Sequence, residues 1–179
     1  MKPQPTAAGY TYIVTSTTIG DACHLGVSYA TMEIPSGSVV TTKHFRVNNT
    51  SSTTQPAMVN IAGDLVVDST STDPCVWWDT NASYGNHNAG ILFGHYHGTG
   101  TYNITGSIAG ENAYLETVYT AGDQAINIEG GRVVVKGLYA ANDNSTITIS
   151  DGGLLEVSEA PGTGHGPSSV EYASKGIAF

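Results

Sequence analysis

Charge is what this chain has least of. Charged residues make up 12% of its 179, with only six Lys or Arg against fifteen Asp or Glu, where about 25% is usual for a soluble domain. A formal net charge of -9 built from so few cations leaves no basic footprint. Nucleic acid and anionic membrane surfaces are thereby excluded as expected partners. The acidic residues are scattered rather than gathered in a block, which reads as solubility and not as a binding tail. No apolar run approaches the roughly 18 residues of a spanning helix, so membrane insertion is not expected. Cysteine is scarce: Cys23 and Cys75 could form one disulfide in an oxidising compartment or remain two buried thiols. Strong helix formers are sparse, and no stretch sustains a period near 3.6.

The chain is instead rich in glycine, 22 in all, and in Thr, Ser and Asn, with runs such as Thr15-Ser16-Thr17-Thr18 and Thr50-Ser51-Ser52-Thr53-Thr54. These are β-branched and turn-forming residues, which suit strands and corners. Hydrophobic residues at 40% are enough for one real core in a chain of this length. The expected fold class is all-β.

Five segments share one shape, an Ile leading to a glycine turn with an apolar strand directly behind it. They are Met32 to Val40 around Gly37, Ile61 to Val67 around Gly63, Ile104 to Ile108 around Gly106, Ile128 to Val135 around Gly130, and Ile149 to Val157 around Gly152. Gly106, Gly130 and Gly152 lie about 22 to 24 residues apart and Gly37 to Gly63 about 26, within the range of solenoid repeats. A step this constant predicts stacked coils about 4.8 Å apart, in which like residues pile into a continuous core and glycines with positive φ turn the corners. Gly106, Gly130 and Gly152 should then share one corner, with Ile108, Val133 or Val135, and Leu154 or Val157 stacked inside. The expected division is an N-terminal extension over 1–9, one β-solenoid over 10–160 with a less repetitive cap from Tyr10 to about Tyr29, and a loop or linker tail over 161–179. Asn142-Asp143-Asn144 reads as a second turn in a late coil.

The segment from Ile104 to Val157, with its permissive Ile-x-Gly-Gly-x-x-x-Val pattern, resembles the glycine-rich coils of bacterial autotransporter passengers and other right-handed parallel β-helices, a group that includes the pectate-lyase-like enzymes. The resemblance implies a parallel β-helix and a bacterial cell-surface or secreted setting. It carries over no catalytic residue, because the lyases' clustered acidic and basic groups have no counterpart here.

Between Gly63 and Gly106 the period breaks, which leaves room for an extra coil or for an insertion around residues 70–100. That stretch holds most of the unusual chemistry. Trp77 and Trp78 are adjacent and would point to opposite faces of a strand, so one indole can enter the core while the other stacks on a sugar ring. Tyr84 and Tyr96 could extend such a platform, with Asn86 and Asn88 to hydrogen-bond hydroxyls. His95 and His97 share a face if extended, and with His87 or Asp79 as a third ligand could hold Zn²⁺ or Cu²⁺; flanked by Gly94 and Gly98, they read equally as an exposed turn.

Val76-Trp77-Trp78-Asp79-Thr80-Asn81-Ala82-Ser83 resembles the active-site loop of aspartic proteases, and Asp151-Gly152-Gly153 offers a second carboxylate. Such chemistry needs two carboxylates sharing one proton, here Asp79 and Asp151. Asn81 stands where that family has glycine, and Asp151 lacks the following hydroxyl. The sequons at Asn49, Asn81, Asn103 and Asn144 are expected from composition alone.

The chain opens Met1-Lys2-Pro3-Gln4-Pro5 with no apolar segment behind the lysine, so the sequence as given carries no signal peptide. Composition nonetheless points to an extracellular or surface setting. The expected function is a secreted or surface-displayed binding or structural module, adhesin-like and contacting extracellular glycan or glycoprotein. The alternatives are an aspartic-type peptidase acting on such glycoproteins and, third, a polysaccharide-active enzyme; none of these readings calls for a cofactor.

Overall fold

The computed structural model describes residues 9–19, 24–27, 30–48, 56–68, 91–95, 99–117, 123–140 and 145–158. Among them are fifteen strands and no helix, and every strand pairing is parallel. The first coil holds β1 (Thr11–Ile13), β2 (Thr17–Thr18) and β3 (His24–Val27), and the second holds β4 (Thr31–Ile34), β5 (Val39–Thr42) and β6 (His44–Asn48). The third holds β7 (Ala57–Ile61), β8 (Asp64–Val67) and β9 (Ile91–His95). In the fourth, β10 (Gly100–Ile104) is followed by the long β11 (Ser107–Thr117), and in the fifth β12 (Gln124–Glu129) by β13 (Arg132–Ala140). The last described coil is β14 (Thr146–Ser150) and β15 (Leu154–Val157).

One sheet stacks β1, β4, β7, β10, β12 and β14 in that order. The other has two wings: β2, β5, β8 and β15 lie along one, β3, β6 and β9 along the other, and β11 and β13 run through both. This is the parallel β-solenoid that the glycine spacing predicts.

A four-residue rung repeats along the first sheet: Thr31-Met32-Glu33-Ile34, Met58-Val59-Asn60-Ile61, Thr101-Tyr102-Asn103-Ile104, Ala125-Ile126-Asn127-Ile128 and Thr146-Ile147-Thr148-Ile149, all in register. Alternation sends the second and fourth residues inward. Met32, Val59, Tyr102 and Ile126 form one inner column and Ile34, Ile61, Ile104 and Ile128 the next, each at most 2% exposed. Val40, Leu65, Ile108 and Val133 face them from the second sheet. Parallel sheets ordinarily need both faces covered. Here the two sheets cover each other's inner face, so each strand can alternate apolar and polar residues.

The ring of Tyr102 stacks on Phe93, centroids 3.8 Å apart, and Phe45 meets Phe93 edge-on at 6.1 Å. The Tyr102 hydroxyl donates to Oε1 of buried Gln124 at 2.6 Å, which gives the buried phenol its partner.

At the corner that follows the first sheet, the N–H groups of Asp64, Ser107, Arg132 and Leu154 donate to the carbonyls of Ser38, Gly63, Gly106 and Gly131 at 2.8 to 3.0 Å. Ser38, Gly63, Gly106, Gly131 and Gly153 therefore form one column. A Cβ on Gly106 would run into the carbonyl of Gly63, and one on Gly131 or Gly153 into the carbonyl of Ile104 or Ile128. These glycines are required by close approach of backbone to backbone. Gly37, Gly130 and Gly152 have φ of 80°, 67° and 80° and turn the chain one residue earlier.

The expected corner thus exists, but its glycines do two jobs. Gly106 aligns with Gly131 and Gly153, not with Gly130 and Gly152, and it has no positive φ. Leu154 faces outward, 47% exposed, and Leu155 takes the inner position over Val133. The stretch expected to be a less repetitive cap contains the short strands β1, β2 and β3, each paired in parallel with a strand of the second coil. The turn at Asn142-Asp143-Asn144 lies outside the described residues.

The two kinds of glycine should separate on substitution. Gly106→Ala, which clashes with fixed backbone, should destabilise by about 3 kcal/mol or more, and Gly37→Ala, with open space around its Cβ, by about 1 to 2 kcal/mol for the left-handed φ alone. Denaturant midpoints of the two variants check the order.

Candidate functional site

The broken period resolves into an insertion. Ile61 pairs directly with Ile104 and Leu65 directly with Ile108, so no coil lies between them. Residues as far apart as 43 in sequence become neighbours there, against 24 one coil later. The excess falls between β8 and β9, at the edge where the two wings of the second sheet meet.

That edge is well defined in the neighbouring coils. In the second coil, two residues, Lys43 and His44, separate Thr42 from Phe45, and the buried Thr42 hydroxyl donates to the His44 carbonyl at 2.9 Å. In the third coil the register equivalents of Thr42 and Phe45 are Val67 and Ile91, and residues 68–90 lie between them. In the fourth coil β11 passes the edge with a bulge between Gly110 and Tyr114, and in the fifth β13 passes it through Lys136. Lys43 forms an ion pair with Asp68 at 3.3 Å, tying the last described residue before the insertion to the coil beneath. Asp68 is 61% exposed, so the pair contributes little stability, about 0 to 1 kcal/mol.

Trp77, Trp78, Asp79, Tyr84, His87, Tyr96 and His97 lie outside the described residues, as do Cys23 and Cys75. His95 ends β9, its backbone in register with Asn48. Among the described residues no three His, Cys, Asp or Glu side chains come together as a metal site. Asp151 stands exposed in the β14–β15 turn with φ of 52°, the sole non-glycine with positive φ among the described residues. The N–H of Gly153 closes that turn onto the Ser150 carbonyl at 2.8 Å. Aspartate tolerates the left-handed region, which accounts for its presence at this corner on conformational grounds.

The sequence motifs gave no weight to the outer face of the first sheet. There Asn127 donates from Nδ2 to Oδ1 of Asn103, and Asn103 donates likewise to Asn60, both at 2.9 Å. Glu33 and Thr148 continue this row below and above. Beside it run Thr31, Met58, Thr101, Ala125 and Thr146. The result is a face of stacked amides beside hydroxyls, interrupted by Met58 and Ala125 and with Glu33 at one end. Its signal in the sequence is the recurring Asn-Ile pair at Asn60, Asn103 and Asn127, in which the isoleucine draws the eye first.

Asn103 also begins a sequon, but its amide is engaged at both ends. Asn103→Ala should remove two half-buried hydrogen bonds and leave Asn60 and Asn127 to rebond to water, a loss of about 1 to 2 kcal/mol in chemical denaturation. Asn60→Ala, at the end of the row, should cost about half as much.

Compared with known protein families, curated proteins and solved structures, the chain matches none.

Proposed function

We propose that this protein is an extracellular or surface-displayed binding module, in which a solenoid scaffold bears the segment 69–90 as a recognition element for glycan or glycoprotein. One observation supports this above the rest: the third coil takes in the whole segment between Val67 and Ile91 while the pairing of β7 with β10 and of β8 with β11 keeps its register. Functional segments on repeat scaffolds commonly sit at such insertions.

The composition of the segment suits a carbohydrate partner. Trp77, Trp78 and Tyr84 offer flat apolar faces to sugar C–H groups, and Asn86 and Asn88 offer amides to hydroxyls. His95 ends β9, four residues after the chain rejoins the stack at Ile91. The scarcity of charge agrees with a neutral ligand, and nothing in the reading requires a bound cofactor.

The second coil supplies the design of the test. Deleting residues 69–89 leaves Asp68 and Gly90 between Val67 and Ile91, the same two-residue spacing that Lys43 and His44 provide between Thr42 and Phe45. The deletion variant should keep its β-type circular dichroism and melt within a few degrees of the parent, and it should lose binding on a glycan or mucin array. Binding that survives the deletion would sink the proposal. Trp77→Ala and Trp78→Ala should likewise melt within a few degrees of the parent, and the one whose indole stacks on the sugar should lose binding.

A further inference from the structure

The last described coil leaves apolar residues at the C-terminal end of the stack. Ile149, in the column where Ile34, Ile61, Ile104 and Ile128 are at most 1% exposed, is itself 41% exposed. Ile147, Leu155 and Val157 are only partly buried where they pack against the core. Among the described residues, β14 pairs only with β12 and β15 only with β13. The Ser150 carbonyl accepts from the Gly130 N–H at 3.0 Å, so Ser150 and, by alternation, Thr148 turn their backbone groups to β12. Ile147 and Ile149 turn theirs to the far edge, one N–H and one C=O each.

The residues of this edge select its partner. Among the described rungs of the first sheet, Thr146-Ile147-Thr148-Ile149-Ser150 alone is symmetric about its centre: its inner residues are both isoleucine and its outer ones are all hydroxyls. Run antiparallel, the strand is therefore complementary to a second copy of itself. The backbone agrees. With Thr148 facing Thr148 of the partner subunit across a two-fold axis, Ile147 falls opposite Ile149 of the partner subunit, and these are the residues whose N–H and C=O groups point outward. Each such pair exchanges two hydrogen bonds. Edges that stay single are commonly blunted by charge, proline, a bulge or very short strands. β14 has no charged residue and no proline, and it pairs with β12 without a bulge. The opposite end of the stack is blunted, with three residues in β1 and two in β2, against five in β14 and four in β15.

We propose that two copies of this chain join end to end through β14, antiparallel about a two-fold axis at Thr148, so that Ile147 and Ile149 of both copies meet in one continuous core. A strand added in parallel would leave a new edge beyond it, and growth would continue. The two-fold pairing consumes both edges at once and closes. Such a dimer forms whatever the insertion binds.

The full chain should sediment as a dimer at micromolar concentration, with no larger species. Thr148→Cys sets two thiols face to face in a non-hydrogen-bonded pair, where Cα atoms lie about 4.5 Å apart, a separation that a disulfide accepts. Mild oxidation should link position 148 of one copy to position 148 of the other, mapped by peptide mass spectrometry. Thr146→Cys should link to itself at least tenfold less, because position 146 faces position 150. Thr148 is exposed and points away from the core, so charge can be placed there without disturbing the coil. Thr148→Lys and Thr148→Glu should each weaken dimerisation tenfold or more, since like charges then meet on the axis, and mixing the two variants should restore a heterodimer. A monomer throughout would show that the chain covers its own end, and a series of higher oligomers that copies add in parallel. Equal linking at 146 and 148 would show that no register exists, and a dimer indifferent to either charge that the copies join elsewhere; each of these overturns the proposal.

Discussion

Everything in this fold depends on how closely one coil can approach the next. The strands sit at the parallel-sheet spacing of about 4.8 Å, and at the corner after the first sheet, from the third coil to the last described one, there is no room for a side chain between successive backbones. Gly63, Gly106, Gly131 and Gly153 hold that contact. With the corner closed, the N–H to C=O bonds across it keep register, and register in turn brings Ile34, Ile61, Ile104 and Ile128 into one column. A slip of one residue anywhere would turn each inward isoleucine to solvent. The corner is therefore where the sequence chooses between a stacked core and none.

The same constraint explains the surface. With so few charges, the outer face of the first sheet cannot rely on ion pairs, and it is organised by stacked amides from Asn60 to Asn127. Identical side chains at about 4.8 Å can hydrogen-bond along the stack only if each is both donor and acceptor, which an amide is and a carboxylate is not. The ion pairs among the described residues lie elsewhere, as in the Arg132–Glu156 pair on the second sheet, exposed and of small energetic weight.

How much of this was legible in the sequence follows from which signals are ambiguous. Glycine spacing and β-branched runs revealed the solenoid, because only a repeated coil calls for a corner glycine at so regular a step. They did not separate Gly130 from Gly131 or Gly152 from Gly153, since left-handed φ and close approach both call for glycine and the two sites are adjacent. Leu154 and Leu155 could not be assigned to outside and inside until the corner length was known. The choice between an extra coil and an insertion was likewise open, for the residue count fits both and only the pairing of Ile61 with Ile104 decides it. The candidate site was legible merely as unusual composition: the period places its point of departure, while the roles of its aromatic residues depend on contacts that periodicity does not encode.

The stack also sets how the molecule would bear a load. Its inter-coil hydrogen bonds run along the solenoid axis, so tension between the two ends would open them one coil at a time rather than shear them together. Each release would free about 80 Å of chain for a 24-residue step and about 150 Å for the 43-residue step. The third coil would thus be the long event in the series, a mechanical signature of the insertion.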